Sequence, residues 1–561
     1  MNRDQIIKRF RENQNIPVLI IGAGINGIGT FRDLALNGVD VLLVDKGDYC
    51  SGASAASSHM AHGGIRYLEN GEFRLVHEAV QERNRMIENA PHRVIPLPTT
   101  IPMFKVWSGL LNAPLKFFNL LDRPAERGAI VIKIGLMIYD SYTRKQKTVP
   151  GHQFHNRQES LERYPELSSK VKYTATYFDG LILSPERYSI DLIKDAIGEH
   201  ENAMALNYAA FEGVEGNTVK IKDALTGEEL RVSPKVIVNA AGPWIDGVNR
   251  GMGVNERYIG GTKGSHLVLD VPELRETIGD HEFFFENKDG RIVLILPFYD
   301  KVVVGTSDIP AEDADHVVCT DVEVDYFLEL VDRIFPNIKI PREAIVFKFA
   351  GIRPLEYSKA KTTGQISRDH SIKHDKLGDI PVLSLVGGKW TSYRAFSEQT
   401  TDELLQLLGE TRQQSTENIK IDGGANYPRS EQEKEAFTSG ISHKYHISCE
   451  YAGALFLRYG TGSGEIAQQI AQISPLTLNS IENWSEGEVR WLIRNEGVEH
   501  LDDLFLRRTT IAWLGMLTRE VLLEFADIFA DEKQLSTQQK EAEIRRTIQI
   551  MDEKHGVKID L

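Results

Sequence analysis

The chain has 561 residues, 41% of them hydrophobic and 26% charged, which is enough to bury large cores in three or four units of roughly 150 residues. Asp and Glu number 80 against 65 for Lys and Arg, and the net charge of −15 argues against a nucleic-acid-binding protein. Three cysteines at long spacings predict neither a disulfide framework nor a metal site, so we expect a reduced, intracellular protein. The charged N-terminus lacks the apolar core of a secretory signal, and no apolar run is long enough to span a membrane.

The first predicted elements form a βαβ unit. PVLIIGAG (17–24) is a continuous apolar run that predicts a strand buried on both faces. INGIGTFRDLALNG (25–38) has helical spacing and ends at a glycine, and DVLLVD (40–45) predicts a second buried strand. This order predicts a doubly wound parallel sheet.

A glycine fingerprint connects the first strand to the helix. Gly22, Gly24 and Gly27 form a G-x-G-x-x-G motif, in which the first glycine allows a tight turn, the second lets the backbone approach a pyrophosphate and the third lets helix and strand pack closely. Asp45 ends the second strand 18 residues after Gly27, where a carboxylate can bind ribose hydroxyls. Together they predict a dinucleotide site with its pyrophosphate at the helix N-terminus.

The fingerprint alone leaves NAD and FAD open as the dinucleotide. Asp45 disfavours NADP, because its carboxylate would repel a 2′-phosphate. The strands that would complete the sheet lie near residues 236 and 382, far along the chain, and this discontinuity favours FAD.

Between the fingerprint and residue 410, short strand patterns alternate with few helices. A stretch rich in Ser, Ala and Gly, 50–70, has the composition of a backbone that approaches a ligand closely. Helices are predicted over 73–89 and 189–200, and after 410 the pattern is helical. Strands are predicted in KYTATYFDGLIL, VKIKDALTGEELRV, VIVNAAG, GSHLVLD, GRIVLILPF, KVVVGTSD, FKFAGIRPL and PVLSLVGG.

One segment departs from the acidic balance of the chain. Residues 98–140 are apolar and aromatic, with Lys and Arg spaced through them. A basic amphipathic segment of this kind can lie in the plane of the lipid headgroups, with its aromatic rings in the acyl region. An ordinary core helix is the alternative, and we predict a membrane-surface contact through this segment.

The motifs that follow the βαβ unit resemble those of the FAD-dependent (aerobic, respiratory) glycerol-3-phosphate dehydrogenases. The resemblance begins with SSHMAHGGIRYLEN (57–70) and covers most of residues 17–400. In the C-terminal part, EVRWLIRNEGVEHLDDLFLRRT resembles the cap domain of that family. The other matching motifs are KIGLMIYD, VIVNAAGPWID, TKGSHLVL, RIVLILPF, VVVGTSD, GIRPL, SRDH and GGKWTSYR.

The resemblance implies the fold class α/β plus α. A doubly wound, glutathione-reductase-like FAD-binding domain would be interleaved with an antiparallel-sheet substrate domain and followed by an all-α cap. We expect the FAD-binding domain over about 15–95, 185–250 and 350–410, the substrate domain over about 96–184 and 251–349, and the cap over 411–561.

The resemblance also implies an activity. The expected reaction oxidises sn-glycerol 3-phosphate to dihydroxyacetone phosphate by hydride transfer from C2 to N5 of FAD, with the electrons passed to a quinone. A glycerol-3-phosphate oxidase that uses oxygen, an amine or amino-acid oxidase of the same fold, and a catalytically inactive flavin-binding protein are the alternatives. The enzyme would be cytoplasmic, peripheral on the inner face of the cell membrane, and a homodimer.

Basic residues in glycine-rich, apolar surroundings are the expected substrate ligands. By resemblance, Arg66, Arg368 and Lys389 bind the phosphate, because guanidinium and ammonium groups recognise a phosphate dianion. Arg353 is expected at the C2 oxygen, where it would stabilise developing negative charge. Tyr67 completes this pocket by resemblance.

His266 is the expected acceptor of the hydroxyl proton, because the ordinary pKa of histidine lies near neutral pH. Lys389, or a water held by Arg353, could do the same, and a core histidine without a catalytic role is the other interpretation. His266, Arg353 and Lys389 are therefore the predicted catalytic residues, and no metal ligand is predicted. The predicted cofactor-binding residues are Gly22, Gly24, Asn26, Gly27, Asp45, Ser57, Ser58, His62, Gly63, Gly64, Ala241, Gly242 and Gly388.

Overall fold

The structure is a computed structural model that describes residues 3–12, 14–65, 72–105, 129–143, 148–287, 291–311, 313–358 and 369–561. Its strands are β1 (Asn15–Ile21), β2 (Val41–Val44), β3 (Met60–Ala61), β4 (Val94–Met103), β5 (Gln153–Asn156), β6 (Tyr173–Ile182), β7 (Ala203–Leu206), β8 (Ala209–Glu215), β9 (Thr218–Asp223), β10 (Glu229–Asn239), β11 (Thr262–Leu269), β12 (Glu282–Glu286), β13 (Ile292–Phe298), β14 (Lys301–Gly305), β15 (Ile309–Pro310), β16 (Ile345–Arg353), β17 (His370–Leu377) and β18 (Ile380–Gly387).

The described helices fall between these strands and, after residue 430, follow one another. They are α1 (Arg3–Glu12), α2 (Ile25–Leu36), α3 (Phe73–Asn89), α4 (Ala129–Thr143), α5 (Arg157–Arg163), α6 (Pro185–Glu199), α7 (Ile245–Gly251), α8 (Pro272–Ile278), α9 (Asp321–Ile334), α10 (Tyr393–Leu408), α11 (Glu431–Tyr445), α12 (Cys449–Tyr459), α13 (Ser463–Ile473), α14 (Glu486–Asn495), α15 (Leu501–Asp503), α16 (Arg519–Glu532) and α17 (Thr537–His555).

The first sheet is the predicted doubly wound sheet. β18, β10, β1, β2 and β7 are parallel neighbours in that order, with β17 antiparallel at one edge and β9 antiparallel to β10. On β1, Val18 and Ile20 pack into the core beneath α2, whereas Leu19 and Ile21 pack into a second core with α1. Both faces of β1 are therefore buried, as its continuous apolar run predicts.

The second sheet has the strand order β15-β11-β14-β13-β12-β4-β6-β3, with β16 on β11 and β5 on β6. Its described pairs are antiparallel apart from β12 with β4. On β11, Leu267 and Leu269 face the core covered by α9, and Val268 faces the core shared with the C-terminal helices. The predicted strands of this region and the predicted antiparallel sheet are confirmed.

The C-terminal helices pack against the second sheet. Phe347 and Phe349 of β16 share one core with Trp513, and α17 places His555 in a stacked contact with Phe347, with 4.3 Å between ring centroids. The helical character predicted after residue 410 is confirmed. The expected domain boundaries stay a prediction, and the second sheet itself runs from β3 to β16.

The basic aromatic segment 98–140 is described only at its ends. Its first residues belong to β4 and its last to α4, while 106–128 lie outside the described residues. Within the described ranges, no helix has both the length and the hydropathy of a membrane span.

Candidate functional site

Several parallel strands end side by side at one edge of the first sheet. Ile21 of β1 is in register with Val44 of β2 and Asn239 of β10, which in turn pairs with Ser384 of β18. Ligands of doubly wound sheets bind in the crevice outside the carboxyl ends of the strands. The segments that follow these strands hold the predicted fingerprint, Asp45, Ala241 and Gly242, and Gly388, so the fold brings four distant parts of the chain to one edge.

The glycine turn is required by close backbone packing. Gly22 has φ of +109°, and a Cβ there would lie 2.5 Å from the carbonyl oxygen of Ala240. A Cβ on Gly27 would lie 2.0 Å from the carbonyl oxygen of Gly22. Gly24 precedes the first residue of α2, and the nearest atom to a Cβ there would be Ser54 Oγ at 3.3 Å. This cradle, the turn at residues 22–27, has the close backbone packing that a dinucleotide pyrophosphate needs at a helix N-terminus, and the assignment of its glycines to the cofactor stays a prediction.

Asp45 lies directly beside this turn. Its Oδ2 accepts a hydrogen bond from the backbone N–H of Ala23 at 2.6 Å, and its Oδ1 accepts one from that of Gly47 at 2.9 Å. Burial raises the pKa of Asp45 to about 6, although these two N–H donors favour the carboxylate. The carboxyl group is thus fixed beside the glycine turn, and its ribose contact stays a prediction.

Asn26 carries an unsatisfied acceptor at the same edge. Its Nδ2 donates to the carbonyl oxygen of Gly387 at 3.2 Å, while its buried Oδ1 has no hydrogen-bond partner among the described residues. Gly388, with φ of +91°, passes so close that a Cβ would lie 3.0 Å from Asn26 Nδ2. Buried acceptors are normally paired, so Oδ1 fits a hydroxyl or N–H donor of a bound cofactor.

In the HGG turn, residues 62–64, the first glycine is explained by side-chain packing. A Cβ on Gly63 would lie 2.0 Å from Tyr139 Oη, and the Gly63 N–H donates to Asp179 Oδ1 at 3.0 Å. The backbone N–H of His62 donates to Thr391 Oγ1 at 3.0 Å. Packing against Tyr139 therefore explains Gly63 without a cofactor, and its cofactor contact stays a prediction.

Four other predicted cofactor residues lie at turns. Ser57 Oγ accepts a hydrogen bond from the backbone N–H two residues on, at 3.3 Å. Gly64 and Gly242 have φ of +72° and +55°, which side chains rarely adopt. The N–H of Ala241 donates to Asn239 Oδ1 at 3.2 Å. These contacts shape the loops, and the assignment of the four residues to the cofactor stays a prediction.

One segment, 54–58, links the glycine turn to the second sheet. Ser54 Oγ accepts a hydrogen bond from the N–H of Ile25 at 3.0 Å, at the start of α2. A Cβ on Gly351 of β16 would lie 2.5 Å from Ala56 Cβ, and Ser58 Oγ is 2.9 Å from His266 Nε2. This five-residue segment therefore contacts the predicted cofactor site at its first residue and the predicted catalytic histidine at its last.

Arg353 ends β16 and is held in a fixed orientation. Its two terminal nitrogens donate to Ser307 O at 3.1 Å, and Nη2 donates to Thr306 Oγ1 at 2.8 Å. Asp308 forms an ion pair with it at 3.4 Å, and the side chain remains 25% exposed. A Cβ on Gly264 of the neighbouring strand would lie 2.2 Å from Nη2, so the guanidinium packs directly on the backbone there.

His266 is enclosed on β11. Its ring stacks on Phe349 with 4.6 Å between centroids, and a Cβ on Gly305 would lie 2.2 Å from its Cδ2. Burial, and then the charge of Arg353, hold the pKa of His266 well below its ordinary value. The expectation of a near-neutral pKa is wrong, because the strands on either side remove the ring from water. The imidazole is neutral, and its buried Nδ1 has no hydrogen-bond partner within the described ranges.

Lys389 lies in the turn between β18 and α10. Its Nζ is buried, and its charge opposes the rise that burial causes in the pKa of Glu72. Arg66, Tyr67 and Arg368 lie outside the described residues. Of the predicted substrate and catalytic residues, the structure therefore describes His266, Arg353 and Lys389.

Sequence reasoning missed the carboxylate that supports Arg353. Glu323 Oε1 accepts hydrogen bonds from Ser307 Oγ at 2.7 Å and Ser265 Oγ at 2.8 Å, and Oε2 pairs with Lys263 Nζ at 2.6 Å. Burial alone would raise the pKa of Glu323, but these donors lower it to about 2. The T-x-x-E pattern of a capping box marks the start of α9, but nothing in that spacing links it to Arg353.

Comparison with known proteins agrees with this geometry. A family model for FAD dependent oxidoreductases matches residues 17–388, and one for the C-terminal domain of alpha-glycerophosphate oxidase matches residues 414–540. The chain is 32% identical to a glycerol-3-phosphate dehydrogenase of Synechocystis sp., covering 90% of this chain and 91% of the relative. It is 28% identical to D-erythritol 1-phosphate dehydrogenase of Brucella abortus, covering 89% and 95%.

The fold has a close counterpart among solved structures. The glycerol-3-phosphate dehydrogenase from Bacillus halodurans, solved with FAD, superposes with a TM-score of 0.75 at 22% identity, covering 98% of this chain and 97% of that one. Within the described residues, no three His, Cys, Asp or Glu side chains are grouped as a metal site requires. The paired sheets, the glycine cradle and these matches together show that the chain belongs to the FAD-dependent glycerol-3-phosphate dehydrogenase family.

Proposed function

We propose that the protein oxidises sn-glycerol 3-phosphate to dihydroxyacetone phosphate and passes the electrons to a quinone. When bound, FAD supplies the acceptor for the hydride that leaves C2. The observation that carries the proposal is the five-residue link between the glycine cradle and the pair formed by His266 and Arg353. This link supports placing a cationic group and a neutral base beside the cofactor, as oxidation of a secondary alcohol requires.

Arg353 is proposed to bind the C2 oxygen. Its guanidinium is oriented before substrate arrives, because Thr306 and Ser307 accept its hydrogen bonds. A donor that is already oriented stabilises developing negative charge without reorganisation during the reaction. The same contact favours loss of the hydroxyl proton, because it stabilises the alkoxide.

His266 is proposed to accept that proton. Burial and the neighbouring Arg353 keep the imidazole neutral, which leaves it able to accept a proton, although the same lowered pKa makes it a weak base. Ser58 Oγ, 2.9 Å from Nε2, stands where a hydroxyl can relay it. Lys389 is the competing base, and the two are distinguished by their variants: Lys389→Met should weaken substrate binding, whereas His266→Gln should slow flavin reduction at saturating substrate.

The phosphate is assigned to Lys389 together with Arg66 and Arg368, with Tyr67 beside them. Lys389 follows the glycine turn at the carboxyl end of β18. In the chain, Arg66 directly follows the described Ile65, and Arg368 directly precedes the described Asp369. Cationic groups of this number suit a phosphate dianion better than the carboxylate of an amino acid.

The quinone acceptor and the membrane contact belong to the same proposal. α4, at the end of segment 98–140, exposes Ile134, Met137 and Ile138, which lie at i, i+3 and i+4 on one helix face. Lys133 beside them is exposed as well. An apolar face with a neighbouring cation suits the lipid headgroup region, where a quinone is reached. We place the enzyme, as a homodimer, on the inner face of the cell membrane.

A longer polyol phosphate is the second candidate substrate. The Brucella abortus relative is named for D-erythritol 1-phosphate, which also carries a secondary alcohol and a phosphate. Arg353 and Lys389 would serve either compound through the same groups. The two candidate substrates are distinguished by the rates at which they bleach the flavin without oxygen, measured at equal substrate concentrations.

The experiment uses the purified holoenzyme without oxygen. Rapid bleaching by sn-glycerol 3-phosphate, slower bleaching by D-erythritol 1-phosphate and none by glycerol or glycine would support the proposal. Faster bleaching by D-erythritol 1-phosphate would identify that compound as the preferred substrate. Bleaching by glycine would contradict the assignment of Lys389, Arg66 and Arg368 to a substrate phosphate. Adding a soluble quinone or oxygen to the reduced enzyme then identifies the acceptor by which one restores the yellow colour faster.

A further inference from the structure

The loop after β2 is clamped by the C-terminal helical part of the chain. Asp48, three residues after Asp45, has a side chain that is 0% exposed. Its Oδ2 accepts hydrogen bonds from Arg507 Nε at 2.5 Å and Arg508 Nη1 at 2.6 Å, and its Oδ1 accepts one from Arg508 Nη2 at 2.8 Å. Two consecutive arginines more than 450 residues away in the chain thus bind one carboxylate.

Arg508 is itself held from the C-terminal side. Its Nε donates to Glu496 O at 2.9 Å, and its side chain is 0% exposed. Arg507 and Arg508 end a π-helical turn, Leu504–Arg508, that follows α15 directly. A bidentate guanidinium pair fixes both distance and orientation, and a buried one resists exchange with water.

The same C-terminal residues also support the rest of the loop. A Cβ on Gly497 would lie 3.1 Å from Tyr49 Cε2, so the backbone there packs on the tyrosine ring. Asn207 Nδ2 donates both to Asp48 Oδ1 and to Gly497 O, each at 2.8 Å. Tyr208 donates its hydroxyl to Asp503 Oδ1 at 2.6 Å and its backbone N–H to Gly47 O at 2.9 Å.

We propose that Arg508 is a positioning residue for FAD: by clamping Asp48 it holds Asp45 at the ribose end of the cofactor, so that cofactor retention depends on the C-terminal helical part. Asp45 bonds to the glycine turn through the N–H of Ala23 on one side and to the loop through the N–H of Gly47 on the other. A shift of the loop therefore moves the carboxylate relative to the cradle. The inference rests on the proposed function, with FAD as its cofactor, and on the predicted cofactor-binding role of Asp45.

The test compares Arg508→Lys with Arg458→Lys. Arg458 is the control, because it forms an ion pair with the buried Glu488 within the helical part: its Nη2 donates to Glu488 Oε2 at 3.0 Å, and its Nε lies 2.8 Å from Oε1. Lysine keeps the charge in both variants but loses the fork. FAD bound by each holoenzyme is measured by ultrafiltration over a dilution series, without substrate, so the result does not depend on which alcohol the enzyme oxidises.

Arg508→Lys should raise the dissociation constant of FAD by about tenfold or more, which corresponds to about 1.4 kcal/mol, whereas Arg458→Lys should leave it within about twofold. The variant with both Arg508→Lys and Asp45→Ala should bind FAD no more weakly than Asp45→Ala alone, because Arg508 acts through Asp45. Unfolding temperatures of the variants identify a general loss of fold. Equal effects of the two lysine variants, unchanged FAD affinity in Arg508→Lys, or additive losses with Asp45→Ala would overturn the proposal.

Discussion

Replacing Glu323 by Gln should impair both stability and catalysis, although Glu323 is not among the proposed substrate-binding, catalytic or cofactor-binding residues. Its two oxygens accept five hydrogen bonds: two from the hydroxyls of Ser265 and Ser307, one from Lys263 Nζ, and two from the backbone N–H and hydroxyl of Thr320. A glutamine amide keeps one acceptor oxygen and turns the other position into a donor. Either the serine hydroxyls or the donors of Lys263 and Thr320 then face the amide NH2, which is itself a donor. The charge of Lys263 also loses its anionic partner.

The size of the effect follows from the pKa of Glu323. Its lowering from 4.5 to about 2 corresponds to at most about 3 kcal/mol, and screening by solvent leaves about 2 kcal/mol as its contribution to the folding free energy. Because the folded-state pKa is lowered, this contribution is complete above pH 4.5 and is lost as the pH falls toward 2. Glu323→Gln should therefore reduce the free energy of unfolding by about 2 kcal/mol at pH 7, with a smaller difference at pH 4, as measured by urea titration.

The catalytic effect follows from the position of Ser307. Its hydroxyl donates to Glu323, and its carbonyl oxygen accepts two bonds from Arg353. A displacement of about 1 Å at a catalytic group can reduce the rate by about 100-fold, so anaerobic flavin reduction should slow by about 10- to 100-fold in Glu323→Gln. FAD content should not change, since Glu323 does not touch the glycine cradle. An unchanged reduction rate in a variant that has lost stability would refute the coupling between Glu323 and Arg353.

Three further changes test other parts of the site. Arg353→Lys keeps the charge but loses the two-nitrogen contact with Ser307, so the flavin should stay bound while its reduction slows by about 100-fold; loss of flavin would contradict this. Gly27→Ala places a Cβ 2.0 Å from the Gly22 oxygen and should yield colourless protein destabilised by about 1–3 kcal/mol, which absorbance and thermal unfolding would show. The pKa of Asp45 near 6 means that its ionised form increases between pH 5 and pH 7, so FAD should bind more tightly at pH 7, and Asp45→Asn should remove this dependence.

The sequence predicted the structure best where the pattern within a single element is sufficient to identify that element. Three features can be recognised from residues that are adjacent in the sequence: the apolar run of β1, the glycine fingerprint and the bounds of α3. The structure confirms the predicted strand, turn and helix. The order of the parallel strands was not predicted: only β1 and β2 are joined by a short βα connection, whereas β7, β10 and β18 lie far along the chain.

Contacts between distant segments could not be predicted in this way. The pKa of His266 is lowered by burial, to which the stacked ring of Phe349 contributes, and by the charge of Arg353. Both residues lie on another strand, so the sequence around His266 does not indicate that it is buried. Gly63 is explained by Tyr139, 76 residues further on, rather than by the motif in which it occurs. The support of Arg353 by Glu323 likewise depends on a loop and a helix that meet only in the folded chain.

An anaerobic titration of the holoenzyme with sn-glycerol 3-phosphate tests the central claim most directly. The account predicts that one equivalent bleaches one equivalent of flavin and yields one equivalent of dihydroxyacetone phosphate, and that the opposite enantiomer leaves the absorbance unchanged. Persistence of the oxidised flavin spectrum at excess sn-glycerol 3-phosphate would contradict the proposed reaction and the roles of Arg353 and His266.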